Sequence, residues 1–300
     1  MAEIDTPDSE VIGVGVAGLQ YWLDASNSGL KLAAPPGHAK FLLQQTSEVA
    51  MASEVFNNLV LHVRDASKVP PKQWYREFCR TEIWELWQDT EGRFVFIAPR
   101  QSPSRYFIVD ADFKQGEVFG YPPENADHDC YPLPPGLETV LIVNWLAGMS
   151  DFILHAAGVA IDGQGYCFIG TSGAGKSTLA ASLAADPRVT VLGEDQVIVR
   201  YIDHRFWVYG TPWHLNPAMC SPLGIPLSKI FFLEREPNQN RIKNIKPFEG
   251  VTRILQTAFI PYYRPDALPG ILDHLALLIE RMPLYTLSYQ IGSDVMKLVL

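Results

Sequence analysis

The sequence predicts an α/β fold, with strands and helices alternating over 134–300 behind a smaller β-rich region over 1–133. Three observations predict it. Short apolar or alternating runs bounded by Gly, Pro, Asp or Ser fill the first part. The stretch Tyr121 to Gly136 carries Pro122, Pro123, Pro132, Pro134 and Pro135, a linker composition that sets the boundary. Beyond it, apolar strands alternate with helical periodicity, and a glycine-rich motif stands between one strand and the next helix.

In chain order, strands are expected at Phe56 to Val63, Arg93 to Ala98 and Tyr106 to Val109, with turns at Glu91-Gly92 and Gln101 to Ser104. After the prolines come a helix at Leu137 to Leu146 and a strand at Phe152 to Ile161. An Asp162-Gly163-Gln164-Gly165 turn then leads into the apolar strand Tyr166 to Ile169. A helix running to about Ala185 is closed by Asp186-Pro187. Strands follow at Val189 to Leu192, Gln196 to Tyr201, Phe206 to Tyr209 and Ile230 to Leu233. The last helices are expected at Glu249 to Phe259 and Leu268 to Arg281.

Composition narrows the function classes. Of 300 residues, 47% are hydrophobic and 19% charged, which supports one large core or two ordinary ones and excludes a disordered chain. Lys and Arg number 24 against 33 Asp and Glu, a net charge of −9 with no dense basic cluster, so no nucleic-acid partner is expected. Cys79, Cys130, Cys167 and Cys220 are scattered without CxxC spacing; reduced thiols in a cytoplasmic protein fit them best. Glu3, Asp5, Asp8 and Glu10 give the wrong sign for a signal peptide. No membrane span is expected either. Prolines interrupt Phe206 to Ser228, and Asp151 and His155 interrupt Thr139 to Ile161. Self-association is left open.

The segment Gly170-Thr171-Ser172-Gly173-Ala174-Gly175-Lys176-Ser177 matches G-x-x-x-x-G-K-[ST] in full, with Thr178 next in the helix. Its glycines let backbone wrap an anion, and the helix N-terminus turns N–H groups toward it. Lys176 is expected to reach the β- and γ-phosphates of ATP, and the Ser177 hydroxyl to ligate Mg²⁺. An acidic partner is needed at a neighbouring strand end, and Glu194-Asp195 supplies it: one carboxylate for the metal, the other to accept a proton or position a water. His155 is a further candidate, since its strand should run beside the motif strand. Gly210-Thr211-Pro212-Trp213-His214 reads equally as a loop over the site and as packing.

Leu154-His155-Ala156-Ala157-Gly158, the loop from Gly165 to Ser177, and Leu192-Gly193-Glu194-Asp195 together resemble the catalytic domain of HPr kinase/phosphorylase and its kinase-like relatives. ATP-dependent phosphoenolpyruvate carboxykinase is similar more distantly. The resemblance implies a P-loop kinase domain of that type, with Lys176 and Ser177 as phosphate and metal ligands and Asp195 as a second metal ligand. It makes Glu194 the proton acceptor, supported by His155. Glu194 stands where the family has an aspartate, and Gly210 to His214 replaces the family's Glu-x-Arg-Gly stretch. The resemblance thus implies an acceptor other than HPr.

The function expected first is an Mg-ATP-dependent kinase acting on a hydroxyl, such as a serine, of a peptide, protein or small molecule. A P-loop ATPase or switch, in which Glu194 orients water, and a non-catalytic nucleotide-binding partner module are the alternatives.

Overall fold

A computed structural model describes residues 9–28, 30–43, 58–65, 76–100, 105–121, 129–133, 136–214, 216–234, 240–290 and 295–300. Phe56, the Gln101 to Ser104 turn and most of the proline-rich linker, Pro134 included, lie outside them. The chain is mixed α/β, with extensive sheet and few helices, and divides into two compact units, Met1–Trp145 and Leu146–Leu300. No described helix is long and apolar enough to cross a membrane.

The first unit contains β1 (Val11–Val16), β2 (Leu19–Asp24), β3 (Lys31–Leu32), β4 (Asn58–Asp65) and β5 (Arg76–Arg80). It continues with β6 (Glu85–Gln88), β7 (Phe94–Ala98), β8 (Arg105–Val109), β9 (Gln115–Tyr121) and β10 (Asp129–Cys130). Eight of these strands form one sheet in the order β1-β2-β4-β9-β8-β7-β6-β5. In β4 the alternation decides the faces: Leu59, Leu61 and Val63 are buried, whereas Val60, His62 and Arg64 are partly exposed. The helix α1 (Leu137–Ala147) is buried along its whole length, as its nearly uniform apolar sequence requires. Its one acidic residue, Glu138, is satisfied by the Tyr21 hydroxyl and by His38 Nε2 at 3.0 Å, and Tyr131 Oη lies 2.8 Å from Tyr21 Oη.

The second unit contains β11 (Phe152–Leu154), β12 (Ala156–Ile161), β13 (Gln164–Ile169), α2 (Lys176–Leu183), β14 (Val189–Gly193), β15 (Val197–Ile202) and β16 (Arg205–Tyr209). After them come β17 (Gly224–Leu233), β18 (Arg241–Asn244), α3 (Pro247–Leu255), β19 (Ala258–Phe259), α4 (Leu268–Arg281), β20 (Leu284–Ser288) and α5 (Met296–Val299). The sheet runs β14-β12-β13-β17-β16-β15-β11-β19, with β20 on β17 and β18 on β20. Strands β13, β17 and β20 are mutually parallel. Helix α2 packs Leu179, Ala180 and Leu183 on Phe168 and Phe231 of one face. On the other, α4 lays Ile271, Leu275, Leu278 and Ile279 against Ile169, Ile230 and Phe232, at the i, i+4, i+7, i+8 spacing of an amphipathic helix.

Two expectations need correction. The single strand expected at Phe152 to Ile161 is two, broken at His155: β11 pairs with β15 and β19, whereas β12 pairs with β13 and β14. The backbone N–H of His155 leaves both ladders and donates to Thr257 O at 2.8 Å. The helix expected to reach Phe259 ends at Leu255, where Thr257 Oγ1 bonds the Arg253 and Ile254 carbonyls, and Ala258–Phe259 pairs with β11 instead. In both places an apolar run looks uniform while its pairing partner changes.

Burial, followed by the charge of Glu138, holds the Tyr21 hydroxyl pKa well above its ordinary 10.0. A group with a raised folded pKa contributes stability that is complete below its unfolded pKa and is lost as pH climbs beyond it. The urea midpoint should therefore fall from about pH 9 to about pH 11, and Tyr21→Phe should make that fall shallower while costing about 1–3 kcal/mol at neutral pH.

Candidate active site

The register of the second unit brings the chemical residues to one end of the sheet. β12 is antiparallel to both β13 and β14, with Ala156 opposite Ile169 and Gly158 opposite Gly193. The beginning of β12 therefore lies between the end of the loop strand and the end of the acidic strand. His155 stands at that beginning. On its other side β11 pairs with β15, Leu154 opposite Val197. The three residues Glu194, Asp195 and Gln196 thus cross from β14 to β15 directly past His155.

The glycine-rich loop follows β13 and feeds α2. Gly175 caps α2 at φ +100° and Gly173 has φ +75°, left-handed conformations that favour glycine. Thr171, Ser172, Gly173, Ser177 and Thr178 are exposed, whereas Gly170, Ala174 and Gly175 are partly covered. Lys176 is 6% exposed and folds over the loop, donating to Gly170 O at 2.9 Å and lying 3.0 Å from His155 Nε2. Burial lowers its pKa, and Asp195 opposes that shift. Tyr289, just past β20, donates its hydroxyl to Gly175 O at 2.9 Å.

The other imidazole nitrogen, Nδ1, lies 3.3 Å from Asp195 Oδ1. An ammonium offers only donors, so Nε2 must accept from Lys176, and a neutral ring then carries its proton on Nδ1, toward Asp195. The structure joins lysine, histidine and carboxylate in one line. This differs from the pairing implied by the resemblance, in which His155 supports Glu194. The reason is the crossing: Asp195 is its middle residue and passes opposite His155, whereas Glu194 is the first residue after β14. Glu194 is partly buried and makes no hydrogen bond or ion pair among the described residues.

Gly210 to His214 closes the floor beneath the acids. A β-carbon on Gly210 would lie 2.1 Å from both Leu192 O and Ser221 O, so only glycine fits. Thr211 Oγ1 donates to Gln196 O at 3.0 Å and lies 3.1 Å from His214 Nε2, which is therefore the protonated nitrogen. Burial lowers the His214 pKa, with Asp195 opposing. Trp213 is partly buried.

Sequence reasoning counts Arg253 with Arg200, Arg205 and Arg241 as arginines it cannot place, and misses the partner that Arg253 has. Arg253 Nη2, on α3, donates to Glu234 Oε1 at 2.7 Å, and Glu234 directly follows β17. An apolar strand ending in an acid beside the loop strand was the signal for Glu234; Tyr289 had no local signal. Among the described residues no three His, Cys, Asp or Glu side chains gather to hold a metal. Oxygen donors at this end include the Ser177 hydroxyl and the carboxylates of residues 194, 195 and 234. Both backbone contacts at Gly210 are rigid, so Gly210→Ala should destabilise by about 3 kcal/mol, the top of the overpacking range, in urea denaturation.

No family model and no curated protein matches the chain. Among solved structures, the Hpr(Ser) kinase/phosphatase from Coxiella burnetii is similar at 12% identity and a TM-score of 0.28, over 49% of this chain and 85% of that one.

Proposed function

We propose that the chain binds Mg·ATP at Gly170 to Thr178 and transfers the γ-phosphoryl group to a hydroxyl of a peptide, protein or small molecule. The observation that carries this reading is the Lys176–His155–Asp195 line, which couples the lysine of a phosphate loop to a carboxylate through one imidazole. Such a line suits phosphoryl transfer, where positioning and charge stabilisation do most of the work.

In this reading Lys176 exchanges its bonds to the loop carbonyls for phosphate oxygens. Asp195, oriented by His155, accepts the proton of the acceptor hydroxyl. The acceptor oxygen bonds to the γ-phosphorus as the bond to the β–γ bridging oxygen breaks, and that electron pair stays on ADP. Glu194 and Ser177 supply hard oxygen donors of the kind Mg²⁺ takes alongside phosphates and water. When bound, Mg²⁺ would neutralise charge on the β- and γ-phosphates. Asp195 is 51% exposed, so water could take the place of the hydroxyl. ADP release with and without hydroxyl-bearing peptides separates the two: a kinase turns over faster with its acceptor, whereas a hydrolase is indifferent to it.

Lys176→Ala should weaken ATP binding in EDTA by roughly ten- to a hundredfold, the worth of one charge-assisted hydrogen bond. Ser177→Ala should leave metal-free binding nearly unchanged. Titration calorimetry makes the comparison, and equal losses would mean the loop does not hold phosphates in this way.

Asp195→Asn should lower turnover by about 10²–10⁴-fold with Mg·ATP affinity within a few-fold, because an amide cannot accept the proton. Glu194→Gln should instead raise the Mg²⁺ concentration needed for half-maximal rate. Exchanged phenotypes would return the two acids to the roles implied by the resemblance.

A further inference from the structure

The arrangement at the end of β17 adds a residue to the proposed transfer. β17 is the parallel neighbour of β13, with Phe232 opposite Ile169, so Leu233 and Glu234 continue alongside Gly170 and Thr171. A β-carbon on Gly170 would lie 3.3 Å from that of Leu233, which confirms how closely the two segments run. Arg253 reaches this point from α3, with its guanidinium 5.4 Å above the Phe232 ring and Nη2 on Glu234. One helical turn later, Thr257 O receives the backbone N–H of His155. The helix end that carries Arg253 is thus pinned to the residue that holds Lys176.

Among the described residues, four other arginines of this unit are placed elsewhere. Arg200 is buried against Asp151 at 2.8 Å. Arg188 and Arg205 sit at the beginnings of β14 and β16, the end of the sheet away from Glu194 and Gly210. Arg241 lies on β18, two strands beyond β17. Arg253 is 36% exposed, and its single described hydrogen bond, to Glu234, leaves most of its five N–H donors for a ligand. A planar fork anchored at one nitrogen suits the oxygens of a phosphoryl group.

We infer that Arg253 is a catalytic residue that donates to the γ-phosphoryl oxygens during transfer, and that Glu234 is a positioning residue that fixes the guanidinium at the mouth of the phosphate loop. The inference rests on the Mg·ATP reading above. Arg253 takes no part in the bond changes. The hydroxyl oxygen replaces the bridging oxygen on phosphorus, its proton goes to Asp195, and Arg253 compensates charge on the three oxygens that belong to neither bond.

The test uses the full chain and titration calorimetry with Mg·ADP, alone and with aluminium fluoride as a mimic of the phosphoryl group in flight. Arg253→Ala should bind Mg·ADP within about threefold of the unaltered chain but lose about 10²-fold in affinity for the mimic, as expected for a preorganised charge donor. Arg253→Lys keeps the charge and the stem over Phe232, and should recover part of that loss. Glu234→Gln should lose an intermediate amount of mimic affinity, because the arginine is still present but its guanidinium is no longer held by a carboxylate. Thermal melting checks that each variant is folded. If Arg253→Ala binds the mimic normally, or if Glu234→Gln binds it like the unaltered chain, the pair is a strut between α3 and β17 and the inference fails while the Mg·ATP reading stands. If the unaltered chain does not bind Mg·ADP, both fail together.

Discussion

Two-residue turns at the far end of the sheet decide where the chemistry lies. Asp162 and Gly163 join β12 to β13 with φ of 48° and 80°, the left-handed pair that matches strand twist in a tight hairpin. That turn sets Ile161 opposite Gln164, and the ladder then carries the register to Ala156 and Ile169. His155 therefore meets the first residue of the glycine-rich loop. A slip of one residue would turn its side chain to the opposite face and break the line to Lys176. Asp203 and His204, also at positive φ, do the same for β15 and β16 and so bring Thr211 to Gln196.

Around Lys176 the opposite charges are kept from direct contact. Lys176 loses solvation as it folds over the loop, and its counter-charge, Asp195, acts through the intervening imidazole. A direct lysine–aspartate pair would have to be broken before Lys176 could turn to any other partner. With His155 between them, the lysine gives up only carbonyl oxygens and one ring nitrogen. The buried and neutral His214 supports the other side without adding a competing charge. Farther back, Asp151 accepts from Arg200 and from the Tyr201 N–H, which ties the start of β11 to β15 and steadies the strand that ends at His155.

Much of this was readable before the structure. The glycine-rich loop, the Asp-Gly turn and the Leu268–Arg281 helix each carry a local rule, and the helix has the bounds expected of it. What escaped reading depends on partners distant in the chain. The break at His155 lies inside the apolar run Phe152 to Ile161, where only the change from β15 to β13 distinguishes two strands from one. Which of two adjacent acids faces the imidazole depends on how residues 194–196 cross from β14 to β15, and composition is silent on that. In the first unit, the β1–β2 hairpin turns on Ala17-Gly18, with Ala17 at φ 53°, a residue that gives no turn signal. The Glu234–Arg253 pair likewise needs α3 to be folded onto β17.

Strand β17 pairs antiparallel with β16 through Gly224 to Pro226, and parallel with β13 and β20 through its second half. It is the strand through which the two halves of this sheet become one. Its partner across the loop strand is far away in sequence, Phe232 against Ile169. Loop closure over such a distance costs entropy before any contact returns it, so local hairpins close early and long-range parallel pairing comes late. On topology alone, the glycine-rich loop is therefore built in two stages: its lysine and histidine side arrives with the β12–β13 hairpin, and its glutamate and tyrosine side comes only with the docking of β17 and β20. Pulse-labelled hydrogen exchange would read that order directly. A chain halted between the stages would already display the glycine-rich motif, yet lack the wall that encloses it.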